Sequence, residues 1–175
     1  MWRPVITGTL KFDPALGTLA VGMRAELQRT ILAPDVAAYA ALLGDTNPLH
    51  LDAAFAARTP FQRPIAHGML SAGLIPTIFG ATIPAAVYVS QTLSFKRPVF
   101  VGDAVTARVT VTAVRLVPAR GGAPAGAQQP LVTCSTQVLL DASGKVALEG
   151  ESVCLLPPLP LLPAAAAAAA RPPLA

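Results

Sequence analysis

The sequence predicts an α+β domain in which one long apolar helix packs against a curved antiparallel sheet. Residues 67–79 are apolar nearly all round, the pattern of a helix buried in a core rather than lying on a surface. From Val87 onward the hydrophobic period changes to two, the signature of strands. The order of one strand, then helices, then four strand-like runs separated by turns suits an α+β layout.

The first strand falls in residues 23–32 (MRAELQRTIL), with Ala25, Leu27, Arg29 and Ile31 on one side, so it is not cleanly two-faced. Pro34 and Asp35 then open a helix through Leu43, where Gly44 is suited to stop it. Asp52 can cap a short second helix, DAAFAAR. The buried helix is expected to begin near His67-Gly68 and to end at Gly80. Pro76 inside it should remove one backbone hydrogen bond and bend it. Strands follow at 87–96, 104–114, 131–140 and 146–155, the last two separated by the turn-like DASGK. In the second of these, Val105, Ala107, Val109, Val111 and Ala113 share one face, while Thr106, Arg108, Thr110 and Thr112 share the other.

At 175 residues the chain fits one domain. It is placed at 22–156, after an N-terminal extension at 1–21 and before a Pro/Ala-rich, disordered tail at 157–175. Residues 118–130 (PARGGAPAGAQQP) read as a long surface loop. The longest apolar stretch, 69–89, is interrupted by Gly73, Pro76, Gly80 and Pro84, so no membrane partner is expected. The net charge of +4 comes without a dense Lys/Arg block, so no nucleic-acid partner is expected either. That charge is either a solvated surface or an attraction for an anionic substrate or carrier. Cys134 and Cys154 sit in separate strand-like segments without metal spacing and read as buried, reduced thiols. The opening residues, MWRPVITGTLKF, are basic and free of acid before Asp13, which is compatible with an organellar presequence.

Three local features could carry chemistry. In GDTNPLH, Asp45 and His50 flank Asn47-Pro48, and the proline prevents them from being simple neighbours on a helix. The stretch is either a tight turn with incidental polar residues or a device in which a carboxylate and an imidazole hold one water. As a base near neutral pH, Asp45 would need burial to raise its pKa from the reference of about 3.9. In PIAHGM, the backbone N–H of Gly68 at a helix start could bind a carbonyl oxygen; the alternative is a plain helix start where His67 packs and Gly68 permits close contact. Asp45, His50, Asp52 and His67 could in principle bind zinc, but no HxxxH or HExxH spacing preorganises them, so no metal is expected.

GDTNPLHLDAAFAARTPFQRPIAHGML followed by LSFKRPVFVGD resembles the MaoC-like hot-dog hydratases, which comprise (R)-specific enoyl-CoA hydratases and mitochondrial hydroxyacyl-thioester dehydratases. The resemblance runs from about 22 to 156. It implies a hot-dog fold, a homodimer, and reversible hydration of trans-2-enoyl thioesters of coenzyme A or acyl carrier protein to (R)-3-hydroxyacyl thioesters, without a cofactor. It implies that Asp45 and His50 bind the reactive water and that the Gly68 N–H polarises the thioester carbonyl. Asn47 would shape the turn, His67 would pack and hydrogen-bond, and Pro76 and Phe79 would lie at the acyl-chain end. A mitochondrial-matrix location is expected from the same resemblance together with the basic start. The other readings are a hot-dog thioesterase and a non-catalytic acyl-binding or assembly subunit.

Overall fold

The computed structural model describes residues 4–8, 19–119 and 122–158. All but the first two residues of the expected tail, most of the N-terminal extension and the tip of the 118–130 loop lie outside the described residues.

Seven strands form one antiparallel sheet. They are β1 (Ile6–Gly8), β2 (Arg24–Thr30), β3 (Val87–Gln91), β4 (Ser94–Phe95), β5 (Ala104–Pro118), β6 (Gln128–Leu140) and β7 (Val146–Leu155), in the order β1-β2-β5-β6-β7-β3, with β4 also on β7. Between β2 and β3 come five helices: α1 (Ala33–Leu43), α2 (Pro48–Leu51), α3 (Ala53–Ala56), α4 (Gly68–Ala72) and α5 (Leu74–Thr82). Leu74, Ile75, Ile78 and Phe79 form the buried face of α5, which packs on β2, β5 and β6. A sheet wrapped round one buried helix is the hot-dog arrangement.

The two-residue period of β5 does what the sequence predicts as far as Val111. Val105, Ala107, Val109 and Val111 point into the core, and each is at most 1 % exposed. The register then shifts between Val111 and Ala113, a bulge that leaves Ala113 only partly buried. Val132, Cys134, Thr136 and Val138 supply the same face of β6, and Leu148, Ser152 and Cys154 that of β7.

Several elements differ from expectation for identifiable reasons. The buried helix is interrupted at Gly73, whose backbone keeps right-handed helical angles, and it runs past Gly80 to Thr82. The interruption lies one turn before Pro76, which has no N–H to give the Ala72 carbonyl four residues back, the hydrogen bond expected to be lost. The 87–96 run is split by Thr92-Leu93 into β3 and β4. Here the Thr92 backbone crosses β7 so closely that a Cβ on Gly150 would lie 1.8 Å from the Thr92 carbonyl oxygen. The 118–130 loop is shorter than expected, because residues 128–130 pair with 116–118 as strand. β1 and α2 are elements that the hydrophobic pattern does not announce.

Burial pushes both the Cys134 and the Cys154 thiols from an ordinary 9.0 up to about 12. Both are free and fully buried. A group with a raised folded pKa contributes stability that is complete below its unfolded value and lost as pH rises toward the folded one. Native protein at pH 8 is therefore expected to resist a thiol-specific reagent until it unfolds, and its thermal midpoint is expected to fall between about pH 9 and 12. Labelling kinetics and melting curves across that range check both.

Candidate active site

The loop that carries Asp45 and His50 is built from local backbone chemistry. α1 ends at Gly44, whose φ of +77° is the left-handed conformation that glycine adopts freely, and its N–H bonds the Ala40 carbonyl at 2.8 Å. At the other end of α1, the Asp35 carboxylate accepts the Leu32 N–H at 2.9 Å and also pairs with Arg29 of β2. Helix and sheet are thereby tied together ahead of the loop. Asn47 caps α2 by accepting the Leu49 N–H at 3.0 Å, and Pro48 follows as its first residue. Asp52 then caps α3, accepting from Ala54 and Phe55 as expected. These caps make α2 a single fixed turn that carries His50.

His50 is oriented by its own ring. Its Nδ1 lies 2.8 Å from the Ile65 carbonyl oxygen. A carbonyl can only accept, so Nδ1 carries the proton and Nε2 is left with a lone pair. The Ile65 N–H returns a bond to the Leu49 carbonyl at 3.3 Å, and the Ala66 N–H reaches Val99 at 2.7 Å. The imidazole is therefore fixed to the segment that leads into α4.

His67 joins the two halves. By the same reasoning its Nε2 donates to the backbone carbonyl of Asp45 at 3.0 Å, and the Asp45 carboxylate lies 3.7 Å from that nitrogen. Its ring stacks on His50 with centroids 3.9 Å apart, and Tyr39 lies on it at 5.1 Å. One ligand atom from each of Asp45, His50 and His67 falls within 4.8 Å of the others. That spacing suits a water bridging two acceptors at about 2.8 Å each. His67 Nε2 is already committed to the Asp45 carbonyl, and the two rings meet at a tilt of 31°. The expected burial of Asp45 is not found: its side chain is 52 % exposed in the single chain, because the loop after Gly44 projects outward.

Beside His50 opens a cavity of about 330 Å³ lined by Ala66, Gly68, Ser71, Phe95 and Val99 among others. Gly68 is the first residue of α4, so its N–H has no acceptor within its own helix. The Phe95 ring rests on its bare Cα: a Cβ there would come 2.7 Å from the ring. Asp45, Asn47, His50, His67 and Gly68 are thus brought into one neighbourhood. Pro76 and Phe79 are not. Pro76 is partly exposed along α5, Phe79 is 2 % exposed with its ring 5.9 Å from Tyr88, and neither lines this cavity. Sequence reasoning missed Ser71 and Phe95. Ser71 stands three residues after Gly68, a spacing that puts both on one helix face.

An antiparallel sheet round a buried helix, with a carboxylate and a neutral imidazole beside a helix-start N–H, defines a hot-dog domain equipped to move water and polarise a carbonyl. The sequence matches the MaoC like domain over residues 17–122, more than half of the chain, and the chain belongs to that family. It is 46 % identical over 142 residues to an (R)-specific enoyl-CoA hydratase of Aeromonas caviae, covering 80 % of this chain and 97 % of that one. A mitochondrial 3-hydroxyacyl-[acyl-carrier-protein] dehydratase of Solanum lycopersicum is 35 % identical, with 83 % and 82 % covered. The solved structure of an (R)-hydratase from A. caviae involved in PHA biosynthesis superposes with a TM-score of 0.70 at 46 % identity, covering 80 % of this chain and 98 % of that one.

Removing the Asn47 cap tests how the loop is held. Asn47→Ala is expected to lower unfolding stability by about 1 kcal/mol, and Asn47→Asp to restore most of it because a carboxylate accepts the same N–H. Denaturant titration of the three proteins measures this.

Proposed function

We propose that this chain adds water across the C2–C3 double bond of trans-2-enoyl thioesters to give (R)-3-hydroxyacyl thioesters, and catalyses the reverse dehydration. The observation that carries the reading is the bond between His50 Nδ1 and the Ile65 carbonyl. With Nδ1 committed to Ile65, the free Nε2 and the Asp45 carboxylate are both acceptors, and one water can give a hydrogen to each. Its oxygen lone pairs are then free to face C3.

The thioester oxygen would accept from the Gly68 N–H, drawing electrons from the double bond. As the water oxygen bonds to C3, Asp45 takes its proton and the C2–C3 electron pair shifts to form an enolate on the thioester oxygen. The proton then returns to C2, the enolate collapses, and the carboxylate is regenerated. Asn47 and His67 hold the pair in place. Pro76 and Phe79 would bear on chain length through the packing behind the cavity. The (R) outcome, and coenzyme A or acyl carrier protein as carrier, come from the relatives' names.

A homodimer fits two features. β3 ends the sheet, and its Val87 and Val89 are 57 % and 54 % exposed, an edge that natural sheets cover. Asp45 is half exposed until something closes over it. For location, the basic start of the chain and the tomato relative favour the mitochondrial matrix, and the bacterial relative favours a cytoplasm.

Asp45→Asn keeps the shape of the side chain and removes its basicity. Followed by loss of the conjugated-thioester absorbance of crotonyl-CoA, its kcat is expected to fall by roughly 10³-fold with an unchanged melting midpoint. A D45N protein as fast as wild type would overturn the assignment.

A further inference from the structure

Of the polar side chains on the cavity wall that the mechanism above leaves unused, Lys96 pairs with Glu149 and Arg97 donates to the Val146 carbonyl, which leaves Ser71. Ser71 is 1 % exposed, lines the cavity with His50 and Gly68, and its Oγ has no hydrogen-bond partner. A serine inside a helix ordinarily satisfies its hydroxyl on the carbonyl four residues back. The two α5 threonines with hydroxyl bonds do this: Thr77 Oγ1 donates to the Gly73 carbonyl at 2.9 Å and Thr82 Oγ1 to that of Ile78 at 2.6 Å. Ser71 does not, although the His67 carbonyl is there to take it and already accepts the Ser71 N–H at 3.5 Å. A buried hydroxyl without a partner is costly, so one that persists at a cavity wall points to a partner that arrives with the ligand.

Where that hydroxyl can reach follows from helix geometry. Side chains on a helix tilt toward its N-terminus and cover the preceding turn. From position 71 that turn is His67-Gly68, where the thioester oxygen is placed. The oxygen has two lone pairs, and the Gly68 N–H occupies one of them. As the enolate forms, negative charge gathers on this atom, and a second donor gains strength at that moment.

We propose that the Ser71 hydroxyl is a second hydrogen-bond donor to the thioester oxygen, completing with the Gly68 N–H a two-donor site for the enolate. This rests on the hydratase reading of the same cavity. The hydroxyl transfers no proton: it stays on Ser71 while charge builds on the oxygen and withdraws from it. Ser71 is then a catalytic residue, since it touches the reacting group.

The test compares Ser71→Ala, Ser71→Thr and Asp45→Asn with wild type in full-length protein. Crotonyl-CoA hydration gives kcat and KM, and difference infrared spectroscopy of bound crotonyl-CoA gives the carbonyl stretch. Ser71→Ala is expected to lower kcat on the order of 10²-fold with little change in KM, and to move the bound carbonyl stretch back toward its free value. Ser71→Thr, which keeps the hydroxyl, is expected to recover most of both. A purely structural role would move the melting midpoint and leave the carbonyl stretch alone. The proposal is overturned if Ser71→Ala leaves kcat and the stretch at wild-type values while Asp45→Asn abolishes hydration. If Asp45→Asn is also without effect, the underlying hydratase reading fails instead. Should the alanine protein not fold, Ser71→Cys, close in volume but a weak donor, carries the same expectation as alanine.

Discussion

The bond from His67 Nε2 to the backbone carbonyl of Asp45 is the constraint on which the site depends. It crosses from the start of the helix that holds Gly68 to the loop that holds Asp45, two pieces of chain twenty-two residues apart. The same ring rests against His50 at a tilt of 31°, so one side chain touches both the carboxylate loop and the imidazole. Its own burial supports this role: at 3 % exposure, packed between Tyr39 and His50, it has little freedom to turn. The core below supplies rigidity. α5 packs against three strands, and α4 is its short continuation toward the site, so the Gly68 N–H is carried by a helix anchored in the core.

Hydrogen-bond logic then fixes the chemistry. Two carbonyl oxygens, of Ile65 and Asp45, each accept from one histidine, which leaves both rings able to be neutral. A neutral His50 with a free Nε2 would accept a hydrogen from the proposed water while Asp45 acts as the base. His67 Nδ1 is also buried and without a partner, which places a second acceptor close to the site but away from solvent. The cavity wall adds apolar surface from Phe95, Ala66 and Val99.

Much of this was legible in the residues because local chemistry leaves local signs. Gly44 as a stop, Asp52 as a cap and the alternation of β5 each follow from one residue's conformational preference or from a period of two. Asp45, His50 and Gly68 were legible through their spacing within a family pattern, not from physics alone. What stayed hidden was decided at longer range. The hydrogen bond that Pro76 cannot make was legible, but the interruption at Gly73, one turn earlier, was not, since a glycine inside a helix costs only about 1 kcal/mol. The clasp of His67 acts on a backbone carbonyl, which no residue type encodes. Ser71 becomes meaningful only when the face it shares with Gly68 is known to border a cavity. Phe79, expected at the acyl-chain end, packs beside Tyr88 in the core, an orientation its helix position alone does not reveal.

The central claim is that the held water attacks C3 and leaves the thioester intact. The direct measurement is to run the reaction with crotonyl-CoA in isotopically heavy-oxygen water and analyse the products by mass spectrometry. The account predicts one heavy oxygen in the C3 hydroxyl of 3-hydroxybutyryl-CoA, with no free coenzyme A released. Heavy oxygen in the carboxylate of a free acid, with coenzyme A set free, would show that water attacks the carbonyl and would contradict it.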